Sequence, residues 1–345
     1  MNSGTETFTA LLEAYGPQLI PLSDNLVAAS FPLMKIYPAE YCVRRAMRNG
    51  QINSDTLIVE SSSGTLALGL ATVCNWLDLP LVIVTDYACD DVLKRRMEDL
   101  GAKVERVPAP AAVGGYQRAR LDRLKEICDS TPNHWWLNQY DNPGNAASYS
   151  KFAAQLVESL GAVDCLVGTV GSGGSVCGTA IYLRELFPEM TVIGVDTFQS
   201  VLFGYADGPR PLRGLGNSLL PKNLDHTAFN EVHWVTAGEA YTATRLLHRQ
   251  TSLFRGGTSG AAWMVARYWA EKHPRKKVVC LFPDDGTRYV HDIYSDDYME
   301  RNGYWQELPT EPDFVSRPGQ AVGRWSAMDW GRRHYAETVA GVCRK

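Results

Sequence analysis

The clearest chemical signals in the sequence are two segments rich in glycine and hydroxyl residues, each placed after an apolar run and before a helical pattern. In residues 168–175, which read Gly-Thr-Val-Gly-Ser-Gly-Gly-Ser, glycines let the backbone approach an anion, and the free N–H groups of a helix start point at it. The segment lacks the Gly-Lys-Ser/Thr ending of a Walker loop and does not match the dinucleotide fingerprint. It predicts a phosphate site, with a tight structural turn as the alternative.

The second segment, residues 60–65, reads Glu-Ser-Ser-Ser-Gly-Thr and follows the apolar run Leu-Ile-Val. Hydroxyls and backbone N–H groups at a helix start suit a carboxylate ligand. The alternative is simple N-capping of the helix, but capping needs one such residue and this segment has four hydroxyls. The pattern therefore favours a site for a small carboxylate.

Two further polar segments follow apolar runs, at 138–145 (Asn-Gln-Tyr-Asp-Asn-Pro-Gly-Asn) and at 283–289 (Pro-Asp-Asp-Gly-Thr-Arg-Tyr). In open α/β sheets, ligands bind at the edge where the strands end. Both segments are thus candidates for the same site, with a plain solvated loop or turn as the alternative for each.

The elements that position these segments alternate between short strands and helices, and most strands are near-continuous apolar runs typical of strands covered on both faces. This alternation predicts an α/β fold with mostly parallel strands, arranged in two sheets. The predicted strands are 56–59, 81–85, 103–107, 135–137, 165–170, 191–195, 231–235 and 277–282, and the predicted helices are 65–75, 90–100, 115–128, 146–160, 175–186, 238–250 and 259–272.

Composition excludes several classes of function. The chain has 345 residues, and 34 Lys and Arg against 38 Asp and Glu give a net charge of -4, which argues against a nucleic-acid partner. No apolar run approaches the roughly 20 residues that span a membrane, and from the polar start we expect no signal peptide. The eight cysteines form no CxxC pair and the seven histidines show no ligand spacing, so we expect no metal site. Isolated cysteines favour a reduced, cytoplasmic location with thiols in the core.

Taken together and in order, the motifs resemble the cysteine synthase and cystathionine β-synthase family, the fold type II pyridoxal-phosphate enzymes, over roughly residues 17–298. That family carries a Ser/Thr-Ser-Gly-Asn-Thr loop, a Gln-Phe-x-Asn-Pro-x-Asn stretch, a Gly-Thr-Gly-Gly-Thr loop, Ile-Ser-Ser-Gly-Ala and Leu-Pro-x-Ser-Gly-x-Arg-Tyr. The corresponding segments here are 62–66, 139–145, 171–175, 257–261 and 282–289. The resemblance implies two three-layer α/β/α domains of the tryptophan synthase β-like fold and the cofactor pyridoxal 5′-phosphate.

The resemblance also implies roles for individual residues. An ungapped count back from Gly50 places Lys35 at the position of the catalytic lysine that holds the cofactor, whereas a gapped alternative matches 43–45 to the family's Lys-Asp-Arg and leaves no lysine. Burial in an apolar stretch would lower the pKa of Lys35 and make it nucleophilic. The implied cofactor-binding residues are Lys35, Gly171, Ser172, Gly173, Gly174, Ser175, Thr65 and Asp285, and the implied substrate-binding residues are Ser62, Ser63, Gly64, Thr65, Gln139 and Gly214.

Three departures from the family pattern mark a divergent member. Ile36-Tyr37 replaces Asp-Arg after the lysine, and Thr65 replaces the Asn that contacts the ring oxygen of the cofactor. Asp285 replaces the Ser that usually meets the pyridine nitrogen, and a carboxylate there would favour a pyridinium and a deeper electron sink. If Asp284 or another group meets the nitrogen instead, that inference fails.

The implied reaction is β-replacement on an O-activated serine through an aminoacrylate, with a second nucleophile adding to give cysteine or a β-substituted alanine of the 2,3-diaminopropionate type. The departures favour a specialised product of secondary metabolism. The enzymatic alternatives are β-elimination and racemisation, and the third is an inactive relative that only binds a ligand.

The expected organisation is a smaller mobile domain at 36–149, a larger phosphate-binding domain from 1–35 and 150–300, and a homodimer. Residues from about 301 to 345 carry Trp305, Trp325 and Trp330, three prolines and no clear strand. We expect a C-terminal arm packed on the body or on a partner subunit, with a lid as the alternative.

Overall fold

The computed structural model describes residues 13–320 and 323–339. Contacts divide the described chain into two compact units: a smaller unit, Leu33–Ser148 with residues 13–16, and a larger unit, Pro17–Pro32 with the described residues from Tyr149 onward. This division puts Lys35 with the smaller unit, whereas the sequence prediction put it with the larger domain. Which unit moves and what each binds stay predictions.

Strands and helices alternate along the described chain. The strands are Gln18–Pro21 (β1), Leu26–Ser30 (β2), Leu57–Ser61 (β3), Leu81–Thr85 (β4), Lys103–Arg106 (β5), His134–Trp136 (β6), Cys165–Thr169 (β7), Thr191–Thr197 (β8), Glu231–Val235 (β9), Val278–Phe282 (β10), Asp313–Phe314 (β11) and Ser326–Asp329 (β12). The helices are Ile36–Arg48 (α1), Thr65–Leu77 (α2), Asp91–Asp99 (α3), Gly115–Ser130 (α4), Pro143–Ala147 (α5), Ser150–Leu160 (α6), Gly174–Leu186 (α7), Ala237–Thr251 (α8), Gly257–Lys272 (α9), Asp296–Arg301 (α10) and Tyr335–Val339 (α11).

The smaller unit is built on a four-stranded, fully parallel sheet in the order β5-β4-β3-β6. The central strand β4 reads Leu-Val-Ile-Val-Thr and is buried at every position, as expected of a parallel strand covered on both faces. Because the strands run parallel, the segments that follow β3 and β6 lie at the same edge of the sheet.

The larger unit is built on an eight-stranded sheet in the order β1-β2-β10-β7-β8-β9-β12-β11. Strands β2, β10, β7, β8 and β9 are mutually parallel, whereas β1 pairs antiparallel with β2 and β12 pairs antiparallel with β9. The outermost strand β11 is parallel to β12. Helices α8 and α9 pack against each other and bury Leu247, Trp263 and Trp269 in the core of this unit. The predicted α/β class with mostly parallel strands in two sheets is therefore confirmed.

The prediction of no clear strand after residue 301 was wrong. Strand β12 pairs with β9 and carries β11 on its outer side, so the tail extends the large sheet. Trp325, which is 1% exposed, donates its amide to Glu239 (2.7 Å) and its indole N–H to His233 Nδ1 (3.0 Å). The sequence of β12, Ser-Ala-Met-Asp, contains no β-branched or aromatic residue, so only tertiary contacts make it a strand.

The single predicted helix at 146–160 was also wrong, because the chain forms two helices, α5 and α6, with a break at residues 148–149. Helix α5 starts earlier than predicted, since Pro143 occupies its first turn and the Asn142 side chain accepts the Gly144 amide at 2.9 Å.

None of the helices in the described part of the chain combines the length and the apolar composition that a membrane span requires.

Candidate active site

Lys35 lies immediately before α1, with a helical backbone, and its carbonyl accepts the amide of Ala39 at 3.3 Å. Helix α2 passes close by at Gly69, where a Cβ would lie 2.8 Å from the Lys35 carbonyl oxygen. Only glycine therefore lets α2 approach the lysine backbone this closely. Burial of the ammonium group lowers the pKa of Lys35 to about 8, which brings the nucleophilic free amine within reach of neutral pH.

The predicted substrate loop, Ser62–Thr65, connects β3 to α2 in the smaller unit. The Ser62 amide donates to Val84 at 3.1 Å and the Ser62 hydroxyl accepts the Gly64 amide at 3.3 Å, so the loop is tied to the sheet. Gly64 precedes α2, and no side chain caps the first N–H groups of this 13-residue helix. The N-cap position is thus a glycine without a side chain, and the binding of a carboxylate at this helix start stays a prediction.

Gln139 lies beside this loop, because its segment follows β6, the neighbour of β3. Its side-chain amide donates to the Ser61 carbonyl at 3.2 Å, and its backbone amide donates to the Glu60 carboxylate at 3.3 Å. Asn145 in turn donates to the Gln139 carbonyl at 2.7 Å. The structure therefore brings together two segments that the sequence predicted to bind the same carboxylate.

Glu60 is the residue that joins these segments. Its carboxylate is 1% exposed and accepts the Ser61 amide (2.7 Å), the Trp136 indole N–H (3.2 Å) and the Gln139 amide (3.3 Å). Burial raises the pKa of Glu60 to about 7, although those three donors and the charge of Arg120 oppose the shift. Glu60 thus sets the spacing between the strand that leads into the substrate loop and Gln139.

In the larger unit, residues 170–173 connect β7 to α7, and Gly174 and Ser175 lie in the first turn of the helix. Gly173 has φ +80°, and a Cβ there would lie 2.7 Å from the Leu224 Cα. A Cβ on Gly171 would lie 3.1 Å from the Gly214 carbonyl oxygen, so the loop also packs against the predicted substrate residue Gly214. No side chain caps α7, which leaves its first N–H groups available to an anion.

A buried polar cluster lies after β10. Asp284 is 6% exposed and accepts the Tyr289 hydroxyl at 2.7 Å on one oxygen, while its other oxygen has no hydrogen-bond partner among the described residues. Burial raises the pKa of Asp284 to about 6. The hydroxyls of Thr258 and Ser259, at the start of α9, are likewise buried without partners in the described chain. Buried polar atoms of this kind call for a polar ligand.

Asp285, the predicted partner of the pyridine nitrogen, differs from its neighbour. It is partly exposed and accepts the Thr287 amide at 2.7 Å, and its backbone bridges to Arg255. Its role at the cofactor stays a prediction.

The family model of pyridoxal-phosphate-dependent enzymes matches residues 34–284. The chain belongs to this family. An N-(2-amino-2-carboxyethyl)-L-glutamate synthase of Ralstonia nicotianae is 36% identical to the enzyme over 273 residues, which cover 78% of this chain and 80% of that protein. A protein of the same name from Cupriavidus metallidurans is 34% identical over 282 residues, covering 80% and 83%. The O-acetylserine-dependent cystathionine β-synthase of Helicobacter pylori superposes with a TM-score of 0.75 and 27% identity, covering 83% of the enzyme and 98% of that chain.

The predictions of the family, the fold type and the pyridoxal phosphate cofactor are confirmed by these matches. The residues of the enzyme fit the cofactor in each unit taken by itself. The glycine loop 171–175 offers uncapped amides to a phosphate, the partnerless oxygen of Asp284 suits a polar ring atom, and Lys35 supplies an amine of lowered pKa.

Two buried acids were not among the predicted site residues. Glu60 was noted only as the first member of the hydroxyl-rich segment, and Asp284 only as an alternative to Asp285. The available signal was the same for both: a carboxyl residue directly after an apolar strand run. Burial raises the pKa values of these two acids, but it depends on tertiary packing and cannot be read from the local sequence.

Proposed function

We propose that the enzyme catalyses β-replacement on an O-activated serine with the amine of a second amino acid, L-glutamate, as the nucleophile. The observation that carries this proposal is the similarity to two N-(2-amino-2-carboxyethyl)-L-glutamate synthases over about four fifths of each chain. In the reaction, the bond from the serine β-carbon to its activated oxygen breaks, and a bond from that carbon to the glutamate nitrogen forms. The product is a 2,3-diaminopropionate derivative, as the departures from the cysteine synthase pattern favour.

When bound, pyridoxal phosphate withdraws electrons from the substrate α-carbon. Lys35 would hold the cofactor, and its amine would serve as the base that removes the substrate α-proton and later returns it. A pKa of about 8 suits this exchange, because free amine and ammonium are both populated near neutral pH.

The substrate carboxylate binds to the uncapped amides at the start of α2, with the hydroxyls of Ser62, Ser63 and Thr65 and the side chain of Gln139 as further donors. The cofactor phosphate binds to the amides and hydroxyls of residues 171–175. Asp284 or Asp285 would hold the pyridine nitrogen, and a mobile smaller domain would exclude water from the reaction.

The experiment is a matrix of donors and nucleophiles with product identification by mass spectrometry. O-acetyl-L-serine and O-phospho-L-serine serve as donors, and L-glutamate, sulfide or no nucleophile is added to each. The proposal expects the glutamate adduct. Pyruvate without added nucleophile would establish β-elimination, loss of optical activity would establish racemisation, and cofactor-free protein without turnover would establish the inactive relative.

The same proposal includes a cytoplasmic homodimer, in which the family resemblance and the isolated cysteines are the support. Seven cysteines that form no disulfide lie in the described residues, six of them buried, and Cys343 lies outside those residues. Sedimentation equilibrium of the purified enzyme measures the assembly, and a monomeric mass across the micromolar range would contradict it.

A further inference from the structure

A cavity of about 300 Å³ lies within the smaller unit, between the end of α1, the edge strand β6 and the start of α5. This volume is at the lower end of the range found for small-molecule sites. None of the residues named as cofactor-binding or substrate-binding lines it, although Asn142 and Pro143 belong to the segment 138–145 that also carries Gln139. The residues that matter below are Arg45, Asn49, Gln51, Trp135, Trp136 and Asn142.

The lining of the cavity carries positive charge and no negative charge. Arg45 is its sole ionised side chain, and the described residues place no acid within 4.0 Å of the Arg45 guanidinium. The adjacent Arg44, by contrast, lies 3.4 Å from Glu40. A guanidinium that is not engaged by protein offers two parallel N–H donors to one carboxylate.

The rest of the lining combines indole and carboxamide groups. Trp135 and Trp136 present aromatic surface that suits a flat apolar body. The carboxamides of Asn49 and Gln51 are exposed at the rim and can bind the second carboxylate oxygen or a polar substituent. A small monocarboxylate with an aromatic body matches this set of groups.

Both walls of the cavity connect to Gln139. On one wall, Trp136 donates its indole N–H to Glu60, which accepts the Gln139 amide. On the other, Asn142 donates to the Leu137 carbonyl at 2.8 Å and caps α5, which carries the Asn145 that donates to the Gln139 carbonyl. A ligand that displaces either wall therefore acts on Gln139 through one or two hydrogen bonds.

We propose that this cavity is a regulatory site for small aromatic monocarboxylates, and that its occupation alters the affinity of the enzyme for the substrate carboxylate. The binding part stands on the cavity alone. The regulatory part rests on the proposed function, because it requires Gln139 to contact the substrate.

Isothermal titration calorimetry of the holoenzyme tests binding, with phenylacetate as the probe and phenylacetamide as the uncharged probe of the same shape. Arg45→Gln is expected to weaken phenylacetate binding at least about tenfold, the loss of one charge-assisted interaction, while phenylacetamide binds weakly to both forms. Arg48 is the last residue of α1 and does not line the cavity, so Arg48→Gln is expected to bind phenylacetate like wild type.

Equal binding of the two probes, or wild-type affinity in Arg45→Gln, would overturn the site. Ser62→Ala distinguishes the cavity from the substrate loop. Phenylacetate binding that survives in Ser62→Ala supports the cavity. Binding that is lost in Ser62→Ala but kept in Arg45→Gln would place the probe in the substrate loop.

Kinetics test the coupling. Phenylacetate is expected to change the KM for the O-activated serine in wild type and not in Arg45→Gln. Trp136→Phe, which removes the indole N–H to Glu60, is expected to retain phenylacetate binding and lose the KM effect. A KM effect that persists in Trp136→Phe would refute the route through Glu60. Calorimetry needs no turnover, so the two proposals can fail separately. Binding that depends on Arg45, in an enzyme that forms no glutamate adduct, would refute only the proposed function. Formation of the adduct without binding that depends on Arg45 would refute only this site.

Discussion

Replacing Glu60 by Gln tests how the smaller unit holds its substrate loop. The carboxylate accepts three N–H donors, from Ser61, Trp136 and Gln139, while it is 1% exposed. A Gln side chain has almost the same shape, but its NH₂ group must face one of these donors and cannot accept from it. We expect the Gln139 segment to shift and the KM for the amino-acid substrate to rise about tenfold, with a smaller change in kcat.

The pKa of Glu60 gives the same variant a second signature. A carboxyl whose pKa rises from 4.5 to about 7 on folding stays protonated in the native state while the unfolded chain ionises. The unfolded state therefore releases more protons, and the wild-type free energy of unfolding falls as pH rises from 4.5 to about 7. The shift corresponds to about 3 kcal/mol of unfolding free energy. Wild type loses this amount in full above about pH 7, whereas Glu60→Gln has no group at this position that titrates.

The assay is urea unfolding of both proteins at a series of pH values between 4.5 and 8. The difference in unfolding free energy between wild type and Glu60→Gln is the quantity to compare, because the other titrating groups cancel in it. Glu126→Gln, an exposed partner of Arg123 in the same unit, is the matched control and is expected to stay within about 0.5 kcal/mol of wild type. A pH-independent difference together with an unchanged KM would refute the reasoning.

Three more outcomes follow from the geometry. Gly173→Ala, whose Cβ would lie 2.7 Å from backbone, is expected to weaken cofactor binding more than tenfold in an equilibrium titration, whereas Gly161→Ala, with a similar φ and open space, should bind it normally. Lys35→Ala is expected to lower kcat by at least about 1000-fold and to abolish borohydride fixation of the cofactor, with Lys94→Ala, at a partly exposed lysine of α3, as the control. Normal turnover in Lys35→Ala would disprove the lysine assignment. Trp325→Ala is expected to cost about 3–5 kcal/mol in chemical unfolding, and a cost below about 1 kcal/mol would mean that the tail does not stabilise the large sheet.

The sequence by itself determined the fold class, the order of the motifs and most strands. Strands β4 and β9 coincide with the predicted ranges 81–85 and 231–235, because a short apolar run bounded by polar residues is a local signal. The glycine loop 171–175 could also be predicted from the sequence, because a backbone that approaches an anion closely requires glycine at fixed positions. The family followed from several weak motifs in the right order, and its match over 34–284 confirms it.

Tertiary structure decided what no local pattern carries. Strand β2, with the sequence Leu-Val-Ala-Ala-Ser, exists because β10 pairs with it, and β12 because β9 does. Glu60 and Asp284 have ordinary residue types for a strand end, and only the packing around them removes water and raises their pKa values. Burial of charge is a property of the folded neighbourhood, because desolvation depends on residues far away in the chain. The sequence therefore predicted the segments of the candidate site, whereas tertiary packing determined that the two acids beside those segments are buried.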